Sequence, residues 1–226
     1  YMNSENPLLF NVKLPGRVFQ LPSKGVFYEK GVLSDSVENG EIQVKPMSAL
    51  AEMKLRSVDL LFTGKALEEI CKECVPDILD PNKLVYKDVD ALFLFLRMVT
   101  YGNEMSVKSL HECNPTKIHD YMVNLESIIM KPNNSMLDHK DSIYKLDLED
   151  GITVHLKPIT FKDTIEVAHM RQILEQKMSE LESPDMELIE SMVIRDLMSV
   201  IKSVEIENVG QKINVVNRDH IEEWIK

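Results

Sequence analysis

The chain has 226 residues, 44% of them hydrophobic and 28% charged, with a formal net charge of −11, a length that suits one large domain or two small ones. A carboxylate excess without any Lys/Arg cluster argues against nucleic acid as a partner, and the densest apolar run falls short of the ~20 uncharged residues of a membrane span. Three cysteines, an odd number in a chain with no secretory leader, fit a reducing compartment rather than a disulfide framework, so an intracellular, soluble protein is expected.

Residues 1–7 are polar and expected to be flexible. Leu9, Phe10, Val12 and Leu14, then Val18 and Leu21, are punctuated by Pro15-Gly16 and Pro22-Ser23-Lys24-Gly25, which predicts short strands between turns. Glu38-Asn39-Gly40 is a tight-hairpin signal, because Asn-Gly readily takes positive φ. The strand after it, 41–45, buries Ile42 and Val44 and stops at Pro46. Ser48 predicts a helix N-cap, a second short helix starts near Ser57, and a third covers 65–74 with Leu67, Ile70, Cys71 and Cys74 at helical spacing.

The most apolar stretch, 88–104, organises the rest. Leu92 to Leu96, Met98 and Val99 leave almost no polar face, so this helix belongs in a core. Asp88 and Asp90 suit the positive end of its dipole, and Gly102 after Tyr101 is its stop signal. Residues 104–110 and 121–125 alternate as a hairpin around Asn114-Pro115, and a polar linker is expected over 131–142.

The second half restarts with strands over 143–148 and 152–157 joined at Glu149-Asp150-Gly151. Thr160 with Asp163 resembles a capping box, Asp standing where Glu or Gln is usual. A long helix to about 181 follows, then another from Ser183-Pro184 through Val200, strands at 204–206 and 212–216, and a last helix capped by Asn217. The two halves share a pattern: Glu-Asn-Gly leads to Lys45-Pro46-Met47-Ser48 and a helix, while Glu-Asp-Gly leads to Lys157-Pro158-Ile159-Thr160 and a helix. The expected fold is α+β, two related halves, each a β-hairpin or small antiparallel sheet followed by helices. The N-terminal α+β domain spans 8–130, and the C-terminal half, 143–226, carries two long helices.

Few residues suggest chemistry. Cys71 and Cys74 have redox spacing, but they lie on the apolar stripe at the C-terminal end of their helix, where nothing lowers a thiol pKa. His111, Cys113 and His119 are the metal-ligand candidates, yet they amount to one knuckle where structural zinc sites show two, so no metal or other cofactor is expected. His155 and His169 read as ordinary surface or half-buried residues, and His139 and His220 sit beside carboxylates, a pairing too common to mark a site. The sequence has no nucleophile elbow, phosphate-binding loop or metalloprotease motif, so no enzyme is expected. The acidic stretch 175–190 interleaves carboxylates with Met178, Leu181, Met186 and Ile189, which reads either as a solvated face or as apolar anchors for a partner.

Leu21-Pro22-Ser23-Lys24-Gly25-Val26-Phe27-Tyr28, then Lys45-Pro46-Met47, then Leu92-Phe93 through Thr100-Tyr101-Gly102, resemble the baseplate hub protein family of T-even-like contractile-tailed phages over about residues 18–130. The resemblance implies a non-enzymatic virion protein of the tail baseplate, assembled in the host cytoplasm. Its partners would be other baseplate or hub proteins, and an oligomer within the baseplate is compatible with it. The alternatives are a hub assembly chaperone absent from the mature virion and a small zinc-binding module. The resemblance implies a small metal knuckle, often Cys-Xaa-Xaa-Cys, after the Tyr-Gly segment; here that stretch is His111-Glu112-Cys113-Asn114, with one thiol left. Gly25, Tyr28, Pro46, Tyr101, Gly102 and Pro158 are expected to be structural.

Overall fold

The computed structural model describes residues 16–111, 114–128, 144–179, 186–208 and 211–226. The expected flexible residues 1–7, the strand at 8–14, the linker 131–142, Cys113 and Leu181 lie outside them. The fold is mixed α and β, as expected: seven helices and antiparallel sheets of two, two and four strands among the described residues.

In the first half, β1 (Arg17–Gln20) pairs antiparallel with β2 (Glu41–Val44), Gln20 opposite Glu41. The Asn39-Gly40 turn forms, with φ of 52° and 69°, but it does not join adjacent strands. An excursion over 21–40 separates the pair, closed by Leu21 N–H to Gly40 C=O at 2.9 Å. A Cβ on Gly40 would lie 2.6 Å from the Lys24 carbonyl carbon, so backbone approach as well as φ demands glycine there.

Helices α1 (Ala49–Leu55), α2 (Val58–Phe62) and α3 (Lys65–Cys74) follow, and the Ser48 hydroxyl caps α1 at the Ala51 N–H, 3.1 Å away. Helix α4 (Tyr86–Tyr101) buries Val89, Ala91, Leu92, Phe95, Leu96 and Met98 against β1, β2 and α3. Phe95 stacks on Phe19 with ring centroids 4.4 Å apart. The predicted hairpin forms as β3 (Glu104–His111) and β4 (Asn114–Asn124), but Asn114-Pro115 starts the second strand instead of making the turn.

The second half is one antiparallel sheet in the order β5-β6-β7-β8: Tyr144–Asp147, Ile152–Leu156, Ile201–Asn208 and Gln211–Val215. The helices do not simply follow a hairpin. Helices α5 (Phe161–Ser179) and α6 (Met186–Val200) are inserted between β6 and β7, and α7 (Arg218–Ile225) ends the chain. Val154, Val204, Ile194, Met198, Ile201 and Ile221 form its small core.

The repeated Lys-Pro segments perform the same task twice. Lys45 N–H bonds the carbonyl of Cys74, the last residue of α3, at 2.8 Å; Lys157 N–H bonds that of Val200, the last residue of α6, at 2.7 Å. Each otherwise orphaned helix-end carbonyl is satisfied by the residue leaving a strand. Two residues earlier the copies diverge: His155 pairs Ser203 in the β6–β7 ladder, whereas Gln43 N–H bonds the Asp77 carboxylate at 2.7 Å. A side chain replaces a strand in the first copy.

Candidate functional site

The motif 21–28 folds onto the N-terminus of α4 and builds the most buried polar cluster in the described residues. Asp88 is fully buried. One carboxylate oxygen accepts Ser23 N–H at 2.9 Å, and the other accepts the hydroxyls of Ser23 and Tyr28. The Tyr28 oxygen accepts Val85 N–H at 3.0 Å, and the Ser23 oxygen accepts Gly25 N–H at 3.1 Å. Gly25 has φ of 75°, the left-handed turn that brings Tyr28 back toward the helix. Burial pushes the Asp88 carboxyl above the usual range despite the bonds from Ser23 and Tyr28. The same burial, then the Asp88 charge, pushes the Tyr28 hydroxyl up.

This cluster sits where the halves meet. Val85 also bridges Thr160, Tyr86 N–H bonds Ile159 C=O at 2.9 Å, and Phe161 N–H bonds Leu84 C=O at 2.8 Å. Phe161 packs against the first core. Thr160 and Asp163 form the capping box: Asp163 N–H bonds the threonine oxygen at 3.2 Å, and the carboxylate accepts Thr160 N–H at 3.0 Å. Partial burial pulls Asp163 upward, but Lys157 at 2.9 Å and the Thr160 bonds hold it below the usual carboxylate range. The arrangement acts as a polar joint, and a cleft of about 330 Å³ on the outer side of the motif is lined by Gly25 and Tyr28 among others.

Met47 N–H, after Pro46, bonds the Thr100 hydroxyl at 3.0 Å, tying the first Lys-Pro segment to α4. Tyr101 is exposed with the Arg97 guanidinium 4.6 Å over its ring, and Gly102, φ 90°, ends α4. Pro158 lies half-buried between Lys157 and the Ile159–Leu84 contact. Cys71 and Cys74 are fully buried, and burial pushes their thiols up to about 12 and about 11. They are packing residues.

The structure gathers no group of three metal-ligating side chains among the described residues. Half-buried His119 faces Tyr121, with ring centroids 6.1 Å apart. Of the partner-binding candidates, Met186 is exposed at 73%, while Met178 and Ile189 are half-buried. Val193 and Leu197, on the helix expected to make contacts but not singled out from sequence, are exposed and continue the line of Met186 along α6 at helical spacing. Sequence reasoning missed the buried role of Asp88, whose partners lie 60 and 65 residues away. A polar cleft of about 660 Å³ opens beside α6, lined by Glu166, His169, Arg195, Arg218 and Glu222 among others. Its mixed charges include Arg218, which is engaged by the Met198 and Ile201 carbonyls.

These features define an α+β scaffold whose buried polar residues join elements and whose apolar side chains reach the surface on α6. Residues 32–226 match the family model described as T4 bacteriophage base plate protein, and the chain belongs to that family. The match begins after the 21–28 motif and takes in the whole second half, which sequence reasoning left unplaced. No curated protein and no solved structure matches the chain.

Proposed function

We propose that this baseplate protein is a non-enzymatic hub component that works through protein–protein contacts, with α6 presenting the contact surface. The observation that carries this reading is the line of Met186, Val193 and Leu197, exposed on a helix whose adjoining face buries Ile194 and Met198. An amphipathic helix normally keeps one apolar stripe, and a second exposed one suits helix-in-groove recognition, where Met adapts to an irregular partner surface.

Co-expression with other baseplate proteins tests it. The triple variant Met186→Asp, Val193→Asp, Leu197→Asp should keep the wild-type melting temperature within a few degrees and lose co-purification with its partner. Unchanged co-purification would refute the role of α6. Mass spectrometry of purified virions separates a component, present in intact particles, from an assembly chaperone, which would be missing.

A further inference from the structure

The outer strand of the four-stranded sheet is built to continue. Every residue of β5 is exposed, and no other strand pairs its outer edge among the described residues. Tyr144, Leu146 and Leu148 are 51%, 50% and 42% exposed. They lie on the apolar face of the sheet, since Leu146 stands opposite Val154 and Tyr144 opposite Leu156. Edges are protected by shortness, Lys side chains, proline, bulges or inward charges; β5 is short and carries Lys145, but it lacks the devices that physically block pairing. Residues 144–148 have no proline, and the β5–β6 register runs without a shift.

The backbone phase is fixed as well. Leu148 N–H bonds Ile152 C=O at 2.8 Å, and antiparallel bonding alternates along a strand. Leu146 and Tyr144 therefore also turn their backbone groups toward β6. Lys145 and Asp147 turn theirs to the open edge, while their side chains lie on the opposite, polar face. The Asp147 carboxylate is held there by the Thr153 hydroxyl at 2.7 Å.

From this geometry we infer that β5 pairs with β5 of a second copy of the chain, antiparallel about a two-fold axis through Leu146. In that register Lys145 of each copy faces Asp147 of the other, and the outward backbone groups of the same two residues exchange the ladder hydrogen bonds. Leu146 meets Leu146, and Tyr144 meets Leu148, so the apolar row runs on from one sheet into the next. Opposite charges and apolar groups thus match at every position of a self-complementary interface. The product is a continuous eight-stranded sheet.

The edges at β8 and β3 fit less well. On β8 the register centred on Ile213 sets Lys212 against Asn214, and Lys212 is engaged by Glu205 at 2.8 Å. On β3 a register centred on Ser106 would match Glu104 with Lys108, but β3 belongs to a two-stranded ribbon outside both hydrophobic cores, and such ribbons are marginal alone. A four-residue strand buries little area, so the dimer is concentration-dependent. Self-pairing is independent of the hub assignment.

Sedimentation of the full chain over rising concentration tests this, together with disulfide trapping in a Cys113→Ser background. Wild type should move from monomer to dimer. Lys145→Asp should weaken the dimer about tenfold or more, because the two-fold axis counts the like-charge contact twice, and Lys145→Asp with Asp147→Lys should restore it. Leu146→Cys should give a disulfide-linked dimer under mild oxidation, since facing Cα atoms in a non-hydrogen-bonded pair lie about 4.5 Å apart. Ile213→Cys and Ser106→Cys should not. A wild type that stays monomeric throughout, a charge swap that fails to rescue, or faster trapping at Ser106→Cys would overturn the inference. So would Leu146→Cys staying unlinked while another baseplate protein shields it from thiol reagents, because the occupant would then be a different chain.

Discussion

The two halves begin with the same joint and differ in the core built behind it. In the first, among the described residues, fourteen buried side chains pack with six from α4, and even the fully buried Asp88 carboxyl is satisfied from inside. In the second, the buried cluster has six residues, while α6 and β5 hold large apolar side chains in solvent. The helix-end carbonyl bonded by a Lys-Pro segment is common to both. What differs is the next step: Asp77 finishes the first copy with a side chain, and β7 and β8 extend the second into a sheet with open edges. Exposed apolar side chains occur in both halves, Leu50, Met53 and Val58 in the first as well as Met186, Val193 and Leu197 in the second, so the contrast lies in the size of the buried cluster behind them.

Mutations can break that contrast. The largest effect is expected for Phe95→Ala, which removes the ring stacked on Phe19 from a fully buried site and should cost about 3–5 kcal/mol in denaturant unfolding. Asp88→Ala comes next. It leaves the buried Ser23 amide and the Tyr28 hydroxyl without their acceptor, for about 3 kcal/mol. Asp88→Asn reads the charge separately. Because burial raises the Asp88 carboxyl, the folded state keeps its proton at pH values where the unfolded chain has lost it. Its contribution is then fully present below the unfolded carboxylate range and is lost as pH rises through the raised folded value. The stability difference between wild type and Asp88→Asn should therefore shift against wild type as pH rises through that window. A difference that is flat with pH would contradict the burial argument.

The repeated joint predicts smaller, paired effects. Ser48→Ala and Thr160→Ala should cost similar amounts, about 1 kcal/mol each, because each hydroxyl both caps its helix and donates to a carboxylate, Glu73 for Ser48 and Asp163 for Thr160. Smallest of all, the triple Asp substitution on α6 should leave stability nearly unchanged, each exposed site within about 0.5 kcal/mol, while abolishing partner binding.

Much of this was legible locally. The Lys65–Cys74 helix, the Thr160–Asp163 box, the Asn217 cap and the stop at Gly102 are written in adjacent residues, and the structure has each. What stayed hidden depends on distant partners. Asp88 reads as an ordinary first-turn acid until Ser23 and Tyr28 fold over it. Asn39-Gly40 specifies a turn but not that the strand partner is twenty residues back. Val193 and Ile194 are equally apolar in sequence, and only packing decides that one is buried and the other exposed. The metal question stays with His111 and Cys113, and metal analysis of chelator-free protein answers it directly, with zinc near zero expected.

Hydrogen exchange, compared between the free chain and the chain bound to a co-expressed baseplate partner, tests the central contrast most directly. Helix α4 should already be protected in the free chain and unchanged on binding, with protection gained along 186–200. Protection gained over α4 instead, with 186–200 unchanged, would contradict that contrast.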